Sequence, residues 1–392
     1  MRTIRDLEIS GKRVLIRVDF NVPMDESGNI TDDLRITSVL DTIEYAISRK
    51  ARVILCSHMG RPKGKRVERF SLAPVARHLG ELLEKEVAFA PDCIGEEVEE
   101  MVAALQDGEV LLLENLRFHS EEQENDPAFA QALARLADVY INNAFAVSHR
   151  AHASVVGVPG YVAEKAAGFL LEKELDYFHR SVDNPVRPLV AIVGGAKVSS
   201  KLGALTNMLA KVDSMLIGGA MANTFLKSQG HGVGASKVED DLMPEASTFL
   251  ATAAQKGVKV YLPVDVVAAD SFATDAISKQ VTIQDIPEGW MALDIGPATV
   301  ICFQEVLRDA RTIIWNGPMG AFEMDPFAQG TRGVARAVAS AHALSITGGG
   351  DSNAAVKKFG EAANISYMST GGGAFLMLME GKELPGVVAL EG

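Results

Sequence analysis

The sequence predicts an α/β protein made of two doubly wound, Rossmann-like parallel-sheet domains joined by a helical hinge. Three observations lead to this prediction: the length of 392 residues, the alternation of short apolar runs with segments of helical period, and a break near residues 165–188. A single hydrophobic core rarely grows beyond about 250–300 residues, so two domains are expected. Near-continuous apolar strands separated by helices indicate parallel sheets covered on both faces.

Ten short apolar runs rich in β-branched residues are the predicted strands. They are residues 13–19, 52–58, 109–115, 138–145, 189–195, 214–220, 258–267, 312–318, 344–350 and 365–373. Segments with the 3.6-residue period of an amphipathic helix lie between them, for example residues 38–50 and 71–86.

The break divides these strands into two groups of similar size. "AGFLLEKELDYFHRSV" has the pattern of an amphipathic helix, and the prolines of the following "DNPVRP" end it. We therefore expect an N-terminal α/β domain over residues 1–167, a connecting helix and hinge over 168–184, and a C-terminal α/β domain over 185–379. The tail, residues 380–392, is too short to fold alone and is expected to pack back on the N-terminal domain.

Composition argues against several classes of partner. A formal net charge of −13 disfavours nucleic acid and anionic membrane surfaces. No apolar stretch reaches the length of a membrane span, and the charged N-terminus lacks the apolar core of a secretory signal. Cys56, Cys93 and Cys302 are far apart and are expected to be small buried hydrophobes in a reducing compartment. We expect a cytoplasmic protein.

Glycine-rich turns follow five predicted strands of the C-terminal half. They contain Gly194–Gly195, Gly218–Gly219, Asn316–Gly317–Pro318, Gly348–Gly350 and Gly371–Gly373. In an open parallel sheet the strand ends share one edge, where glycine lets backbone N–H groups and helix N-termini approach a ligand. Each turn alone also fits an ordinary tight connection. Five at one edge, with two lysines and Asp351 as a hard oxygen ligand, favour a site for phosphates and Mg²⁺.

The two lysines are Lys197 and Lys201 in "GGAKVSSKL". On a helix their ammonium groups would share a face and repel by ~0.2–0.5 kcal/mol, which a bound phosphate would relieve. The spacing is not that of the Walker motif, because Lys197 follows the glycine pair after one alanine. A solvated helix face is the alternative interpretation.

Basic residues mark the strand ends of the N-terminal half. In "RVDFNVP" the alternation places Arg17, Asp19 and Asn21 on one face, although an ordinary half-exposed strand has the same pattern. Further basic residues follow other strands: Arg35, His58, Arg61, Arg117, His149, Arg150 and His152. Arginine binds carboxylate and phosphate oxygens in bidentate geometry, so a small polyanion is expected, with scattered surface charge as the alternative. His149 and His152 lack metal-site spacing and are expected to be hydrogen-bonding or core residues.

A nucleotide-phosphate site on one domain and a polyanion site on the other predict phosphoryl transfer. At this point the motifs resemble the phosphoglycerate kinase family, in order and at matching spacing, from Arg13 to the C-terminal tail. The motifs are "RVDFNVP", "SHMGRP", "LLLENLRFH", "SHRAHAS", "VAIVGGAKVSSKL", "IIWNGPMGAFE", "ITGGGDS" and "STGGGA". The resemblance implies a glycolytic phosphotransferase, EC 2.7.2.3, acting reversibly between 1,3-bisphosphoglycerate and ADP to give 3-phosphoglycerate and ATP. It also implies Mg²⁺ and a monomer. Because the basic motifs and the glycine-rich motifs lie in different halves, we expect a hinge closure that involves the helix around residues 168–181, the "DNPVRP" segment and the C-terminal tail.

The resemblance also implies roles for individual residues. Those that would hold phosphoglycerate are Asp19, Phe20, Asn21, Arg35, His58, Met59, Gly60, Arg61, Arg117 and Arg150. Those that would hold the nucleotide are Lys201, Gly317, Glu323, Gly349, Gly350, Asp351 and Ser352, with Glu323 at the ribose and Asp351 at the metal. The residues that would act on the transferring group are Arg35, Lys197, Lys201, Gly350 and Gly372.

Two segments depart from the family pattern. The loop "NNAFAVSHRAHAS" has Asn143, Ala146, Val147 and Ser148 where the family usually shows other residues, and Ala298 replaces a longer polar side chain. None of these residues is assigned to a ligand. The first departure bears on the conformation of the loop, and Ala298 lies near the expected nucleotide site.

Two other classes of function remain as alternatives. A nicotinamide-dependent dehydrogenase would need G-x-G-x-x-G after a strand and an acidic residue about 20 positions on, which no glycine turn here offers. A non-catalytic nucleotide- or anion-binding protein could keep the fold without the reaction.

Because the acyl phosphate is activated and the ADP oxygen is already anionic, we expect no general base.

Overall fold

A computed structural model describes residues 1–392, and it divides into two compact units. Unit 1 comprises Met1–Leu175 with Glu383–Gly392, and unit 2 comprises Asp176–Lys382. The chain therefore leaves unit 1 within a helix and returns to it for its last residues.

The fifteen strands are short and mostly buried. In chain order they are β1 Arg13–Arg17, β2 Arg52–Cys56, β3 Val87–Phe89, β4 Val110–Leu112, β5 Val139–Asn142, β6 Glu164–Ala167, β7 Leu189–Val193, β8 Ser214–Ile217, β9 Lys259–Tyr261, β10 Asp265–Ala269, β11 Ser278–Thr282, β12 Met291–Ile295, β13 Thr312–Asn316, β14 Leu344–Thr347 and β15 Tyr367–Met368.

Fifteen α-helices connect the strands. They are α1 Leu34–Thr37, α2 Leu40–Ser48, α3 Ala73–Leu83, α4 Glu96–Ala104, α5 Glu121–Glu124, α6 Pro127–Ala134, α7 Phe169–Phe178, α8 Leu202–Met208, α9 Ala222–Ser228, α10 Met243–Gln255, α11 Pro297–Arg308, α12 Gln329–Ser340, α13 Gly350–Lys358, α14 Gly372–Met379 and α15 Pro385–Glu391. None of these helices is both long and apolar enough to cross a membrane.

Unit 1 is built on a six-stranded sheet in the order β3-β4-β2-β1-β5-β6, and every neighbouring pair is parallel. Its central strands carry buried aliphatic side chains such as Val14, Ile16, Val53 and Leu55, which pack with helix residues including Ile43. The connections leave β1 toward β2 on one side and run from β5 to β6 on the other. The strand order therefore reverses between β1 and β5.

Unit 2 contains a second parallel six-stranded sheet, in the order β15-β14-β13-β7-β8-β9. Ile192, Leu216, Ile313 and Trp315 form the centre of its core, all fully buried. Here the strand order reverses between β7 and β13. Both parallel sheets confirm the predicted α/β, doubly wound fold class.

A third sheet in unit 2 was not expected from the sequence. It has the order β11-β10-β12, and both pairs are antiparallel. The predicted strand 258–267 is wrong as a single element, because it is divided into β9 of the parallel sheet and β10 of this small sheet. Pro263 lies in the interruption, where its missing N–H prevents a continuous ladder.

Candidate active site

In open parallel sheets ligands bind beyond the carboxyl ends of the strands, where the strand order reverses. In unit 1 that position lies beyond β1 and β5. The chain after β1 carries Asp19 and Asn21, and the chain after β5 leads to Arg150.

Asp19 is the hub of the contacts beyond β1. Its Oδ2 atom accepts a hydrogen bond from Arg35 at 2.7 Å, and its Oδ1 atom lies 3.8 Å from Nδ1 of His58. His58 in turn lies 3.3 Å from a guanidinium nitrogen of Arg17. Asp19 and His58 are almost fully buried, whereas about a third of the Arg35 side chain is exposed. The carboxylate thus fixes one arginine that still reaches solvent.

The Met59–Gly60 segment positions Arg117. Asn115 accepts from the Met59 N–H at 3.1 Å and donates to the Met59 carbonyl at 2.8 Å. The Gly60 N–H donates to Asn21 at 2.8 Å, and the Gly60 carbonyl accepts from Arg117 at 2.8 Å. Gly60 has a φ of +59°, and a Cβ atom there would collide with the Phe70 ring, so only glycine fits.

The other residues predicted to hold phosphoglycerate lie in different environments. Arg61 is exposed and Arg150 is partly buried. Both the Phe20 and the Met59 side chain belong to the hydrophobic core, and the Phe20 N–H donates to Ser57 at 2.8 Å. Phe20 and Met59 therefore offer no polar side chain to a ligand.

The pKa values of Arg117, His152 and His58 indicate a strongly positive environment in this part of unit 1. Burial, followed by the charges of Arg150 and Arg17, lowers the pKa of Arg117 to about 10. Burial, followed by Arg17 and Arg117, lowers the pKa of His152 to about 3. His58 is also held neutral, because burial and four arginines lower its pKa well below the usual value. An anion would relieve this mutual repulsion.

Two polar atoms of Arg117 also indicate that this cluster binds an anion. Nε and one terminal nitrogen of its guanidinium are buried and have no hydrogen-bond partner. Unpaired buried donors cost roughly 1–3 kcal/mol each, and more when charged, so their presence indicates a ligand. His149 and His152 agree with the expectation of hydrogen-bonding or core residues, because His149 Nε2 accepts from Arg150 at 3.2 Å and His152 is buried. Their Nδ1 atoms, however, are also buried without a hydrogen-bond partner.

A buried support for this cluster could not be read from the sequence. Glu122 accepts hydrogen bonds from the N–H and hydroxyl of Ser154, at 2.9 and 2.6 Å, and lies 4.0 Å from Arg17. Arg17 donates to the Ser154 hydroxyl at 2.8 Å. Glu122 lies in the acidic run "SEEQEN", which has the composition of a solvated surface segment, so no pattern distinguishes it. The buried Glu122 carboxylate and the Ser154 hydroxyl together compensate the charge and the hydrogen-bonding needs of the fully buried Arg17.

Two of the loop residues that depart from the family pattern, Asn143 and Ser148, contact other parts of unit 1. Asn143 accepts from the Leu170 N–H at 2.9 Å, in the first turn of α7. Ser148 donates to the Ala144 carbonyl at 3.0 Å, and its own carbonyl accepts from Gly386 at 2.9 Å. These contacts hold the loop and the C-terminal segment.

In unit 2 the reversal between β7 and β13 brings two glycine turns together. Gly194 N–H donates to the Asn316 carbonyl and Gly195 N–H to the Pro318 carbonyl, both at 3.0 Å. Gly317 has a φ of +98°, and a Cβ atom there would strike the Gly194 backbone and the Lys201 ammonium group. The backbones can approach this closely only because the residues are glycine.

Lys201 lies against this junction. Its Nζ atom donates to the Asn316 carbonyl at 2.9 Å and to the Asn316 side-chain oxygen. Burial lowers the pKa of Lys201 to about 8, against the smaller opposing effect of Asp351. The partner Asn316 was not predicted as a site residue, although a polar residue ending the apolar strand "TIIWN" is a usable signal.

The predicted geometry of the two lysines is wrong. The helix begins at Leu202, so Lys197 and Lys201 lie in the preceding turn and share no helix face. Lys197 is exposed, whereas Lys201 is turned inward. The repulsion inferred for an i, i+4 helical pair therefore does not apply.

Two helix N-termini meet beside the glycine turns. Gly349, with a φ of +100°, precedes α13, and a Cβ atom on Gly372 at the start of α14 would lie 3.2 Å from the Gly349 Cα atom. Asn353 donates to the Ser369 carbonyl at 2.7 Å and ties the two turns together. Ser352 accepts from the Gly317 N–H at 2.7 Å. The unpaired N–H groups and positive dipole ends of both helices suit phosphate oxygens.

Glu323 and Asp351 are both exposed near these elements. Lys358, at the last residue of α13, donates to the Phe322 and Glu323 carbonyls at 2.9 and 3.3 Å and so holds the Glu323 loop. Asp351 lies in the first turn of α13 with its carboxylate accessible to solvent. A carboxylate exposed beside a glycine turn at a helix N-terminus suits Mg²⁺, which binds one or two carboxylates together with substrate phosphates.

Two further expectations are corrected by the structure. "RVDFNVP" is not an alternating half-exposed strand, because β1 ends at Arg17 and Arg17, Val18, Asp19 and Phe20 are all buried. Cys56 and Cys93 are buried as expected, but Cys302 is exposed on α11.

Fold and half-sites together define a class of protein. Two parallel-sheet units, each with a candidate anion site at its reversal of strand order, are the arrangement expected of an α/β phosphotransferase. The comparisons narrow the class. A family model described as phosphoglycerate kinase matches residues 4–382, and the chain belongs to this family.

Individual relatives agree over the full length. The chain is 69% identical over 391 residues to a phosphoglycerate kinase of Desulfotalea psychrophila, covering 100% of both chains. It is 58% identical over 392 residues to one of Geobacter metallireducens, covering 100% of this chain and 98% of the relative. The solved structure of phosphoglycerate kinase from Coxiella burnetii superposes with a TM-score of 0.90 at 44% identity, covering 99% of this chain and 98% of the other. The predicted family, fold class and enzyme class are confirmed.

Proposed function

We propose that this chain transfers a phosphoryl group reversibly between 1,3-bisphosphoglycerate and ADP, giving 3-phosphoglycerate and ATP. The observation that carries the proposal is the pair of half-sites: arginines around Asp19 in unit 1, and Lys201 with two helix N-termini in unit 2. One suits a three-carbon acid with a carboxylate and a phosphate, and the other suits the phosphates of a nucleotide.

In unit 1, the proposed ligands of phosphoglycerate are the charged and polar groups of the basic cluster: Asp19, Asn21, Arg35, His58, Arg61, Arg117 and Arg150. The two orphaned nitrogens of Arg117 support a bidentate contact with an anionic group. Gly60, Phe20 and Met59 would contribute through the backbone that holds those side chains.

In unit 2, the proposed nucleotide ligands are Lys201, Gly317, Glu323, Gly349, Gly350, Asp351 and Ser352, with Glu323 at the ribose. Asp351 would hold Mg²⁺, because its carboxylate is exposed in the first turn of α13. Bound there, the ion would neutralise charge on the nucleotide phosphate oxygens.

Catalysis by this chain would be electrostatic. The loose transition state of phosphoryl transfer spreads negative charge over three oxygens, and positioned positive groups stabilise it. We assign this role to Lys197, Lys201 and Arg35, with the N–H groups at Gly350 and Gly372. Lys197 suits the transferring group because its side chain is exposed and free of the Asn316 contact that holds Lys201.

The proposal extends to the setting of the enzyme. We infer a cytoplasmic monomer, as the family resemblance implies. Its partners would be small molecules, because a net charge of −13 disfavours nucleic acid and anionic membrane surfaces. Size-exclusion chromatography with light scattering tests the monomer.

A coupled assay of MgATP with 3-phosphoglycerate tests the proposed activity. Glycerate, which lacks the phosphate, is the matched control substrate, and we expect turnover only with 3-phosphoglycerate. If both substrates bind without any turnover, the chain is a non-catalytic binding protein and the proposal is wrong.

A further inference from the structure

Three metal-ligating side chains meet in unit 1. They are Asp92, Cys93 and His119, and one carboxylate oxygen, the thiol sulfur and one imidazole nitrogen all lie within 4.8 Å of one another. None of the three belongs to the proposed substrate or nucleotide half-sites. We propose that this cluster is a binding site for a transition-metal cation of the Zn²⁺ class.

The cluster is built by two loops with fixed backbones. Asp92 and Cys93 lie between β3 and α4, where the Cys93 N–H donates to the Asp92 carboxylate at 2.7 Å. His119 follows the 3₁₀ turn Leu116–Phe118, and its N–H donates to the Leu116 carbonyl at 3.2 Å. Glu114 N–H donates to the Asp92 carbonyl at 3.3 Å, which joins the two loops directly.

The spacing is near that of a first coordination shell. His119 Nε2 already lies 2.7 Å from the Asp92 carboxylate. In a tetrahedral zinc site, metal–ligand bonds of about 2.0–2.3 Å place ligand atoms roughly 3.3–3.6 Å apart. On metal binding the His119–Asp92 pair would therefore give up its hydrogen bond and separate by about 0.6–0.9 Å, and the most distant pair of atoms would approach by about 1 Å.

The electrostatic environment favours a cation. The carboxylates of Asp92 and Glu122 both lie close enough to act on the Cys93 thiol. Their negative charge attracts a divalent ion. Side chains of His119 and Asp92 remain 26% and 44% exposed, so an ion can enter from solvent and retain a water ligand.

The donor atoms select the kind of metal. A thiolate, an imidazole and a carboxylate suit Zn²⁺ or Co²⁺, whereas Mg²⁺ requires oxygen ligands. On binding, the ion forms bonds to sulfur, nitrogen and oxygen. The thiol proton, and the proton shared by His119 and Asp92 where present, pass to solvent.

The alternative is a simple His–Asp pair beside an inert thiol. The chain offers a matched control for that case, because His78 Nε2 lies 3.0 Å from the Asp33 carboxylate and is not part of a cluster with a cysteine. His78→Gln removes an equivalent pair without touching the proposed site.

The test is titration of the untagged full-length chain with Co²⁺ and Zn²⁺ in the absence of nucleotide. We expect one equivalent of Co²⁺ to produce a thiolate-to-metal charge-transfer band in the near ultraviolet, displaced by Zn²⁺ and removed by a chelator. Affinity should fall at least tenfold in His119→Gln and Asp92→Asn. The band should disappear in Cys93→Ser, and His78→Gln and Cys302→Ser should behave as the parent chain.

Two results would overturn the proposal. One is the absence of a thiolate band in the parent chain; the other is a band or affinity that is lost in Cys302→Ser and kept in His119→Gln. Circular dichroism of each variant establishes folding. The Cys93→Ser variant alters a buried residue and could fail to fold. In that case the thiolate band of the parent chain and the affinities of His119→Gln and Asp92→Asn decide whether the cluster binds the metal.

Discussion

Burial and charge oppose each other at Lys201. The ammonium group is held by Asn316, yet burial lowers its pKa to about 8 in the ligand-free chain. A nucleotide phosphate beside it would favour the charged form and raise the pKa again. Binding of nucleotide is therefore coupled to proton uptake at Lys201.

The coupling predicts a pH-dependent binding reaction. At pH 8 about half of the free chain carries a neutral Lys201, so Lys201 should contribute the uptake of roughly half a proton to ADP binding, and this contribution should fall to almost none at pH 6.5. Calorimetry in two buffers of different ionisation enthalpy measures this number. The Lys197→Ala variant should show the same proton uptake. If the parent chain takes up no proton at pH 8, Lys201 does not face the phosphates.

Lys197 differs from Lys201 in having an exposed side chain. Changing Lys197 to alanine should lower kcat about 10²–10³-fold, the usual cost of removing one donor aimed at transition-state charge. Nucleotide affinity should remain nearly unchanged. Steady-state kinetics with Lys256→Ala, another exposed lysine of unit 2, as control measures the effect. Normal turnover in Lys197→Ala would remove it from the transition-state role.

At the scale of elements, the half-site of unit 2 depends on strand-to-helix turns whose backbones touch. Gly219, between β8 and α9, has a φ of +69°, and a Cβ atom there would lie 2.5 Å from the Gly195 nitrogen and 2.9 Å from the Pro318 oxygen. Three strand ends therefore meet at one glycine. Any side chain at Gly219 would separate the turns that carry Lys197 and Asn316.

A pair of glycines around α9 tests this packing. Gly230 follows the helix with a φ of +90° but has no atom within 4 Å of an added Cβ. Gly230→Ala should cost only the left-handed backbone penalty, roughly 1–2 kcal/mol of unfolding free energy. Gly219→Ala should cost at least about 1 kcal/mol more, because the neighbouring backbone must move. Urea denaturation measures both, and equal losses would contradict the packing argument.

Most elements of the two parallel sheets were predictable, because their strands are continuous apolar runs such as 52–58 and 312–318. The antiparallel sheet was not, since β11 has the sequence "SKQVT" and is mostly exposed, without a hydrophobic signature. Its neighbour β10 was merged with β9 because both are apolar, and only Pro263 marks their separation.

The candidate site also has parts that are predictable from the sequence and parts that are not. Its motifs and glycine turns are visible in the sequence, because they stand out against the apolar strands that precede them. The supports are not: Glu122 belongs to a polar run, and its burial depends on packing by segments distant in sequence, including Ser154. The inward turn of Lys201 depends on where α8 begins, a boundary that periodicity does not define.

For the whole molecule, the proposal places the two substrates on different units. Phosphoryl transfer requires the donor and acceptor oxygens to meet, with water excluded from the acyl phosphate. We therefore propose that binding of both substrates closes the molecule about the segment 168–184 that contains α7.

Small-angle X-ray scattering measures this closure. The radius of gyration should fall when MgADP and 3-phosphoglycerate are both present, and by less with either alone. An unchanged radius of gyration at saturating concentrations of both would contradict closure in solution.

The central claim is that unit 1 binds the three-carbon acid, unit 2 binds the nucleotide, and Lys197 acts between them. A crystal structure of the chain with MgADP and 3-phosphoglycerate tests it most directly. The account predicts the acid against Arg61, Arg117 and Arg150, the nucleotide phosphates against Lys201 and the N-terminus of α13, and Lys197 directed at the gap between the ligands. Both ligands on one unit, or Lys197 turned away from the phosphates, would contradict it.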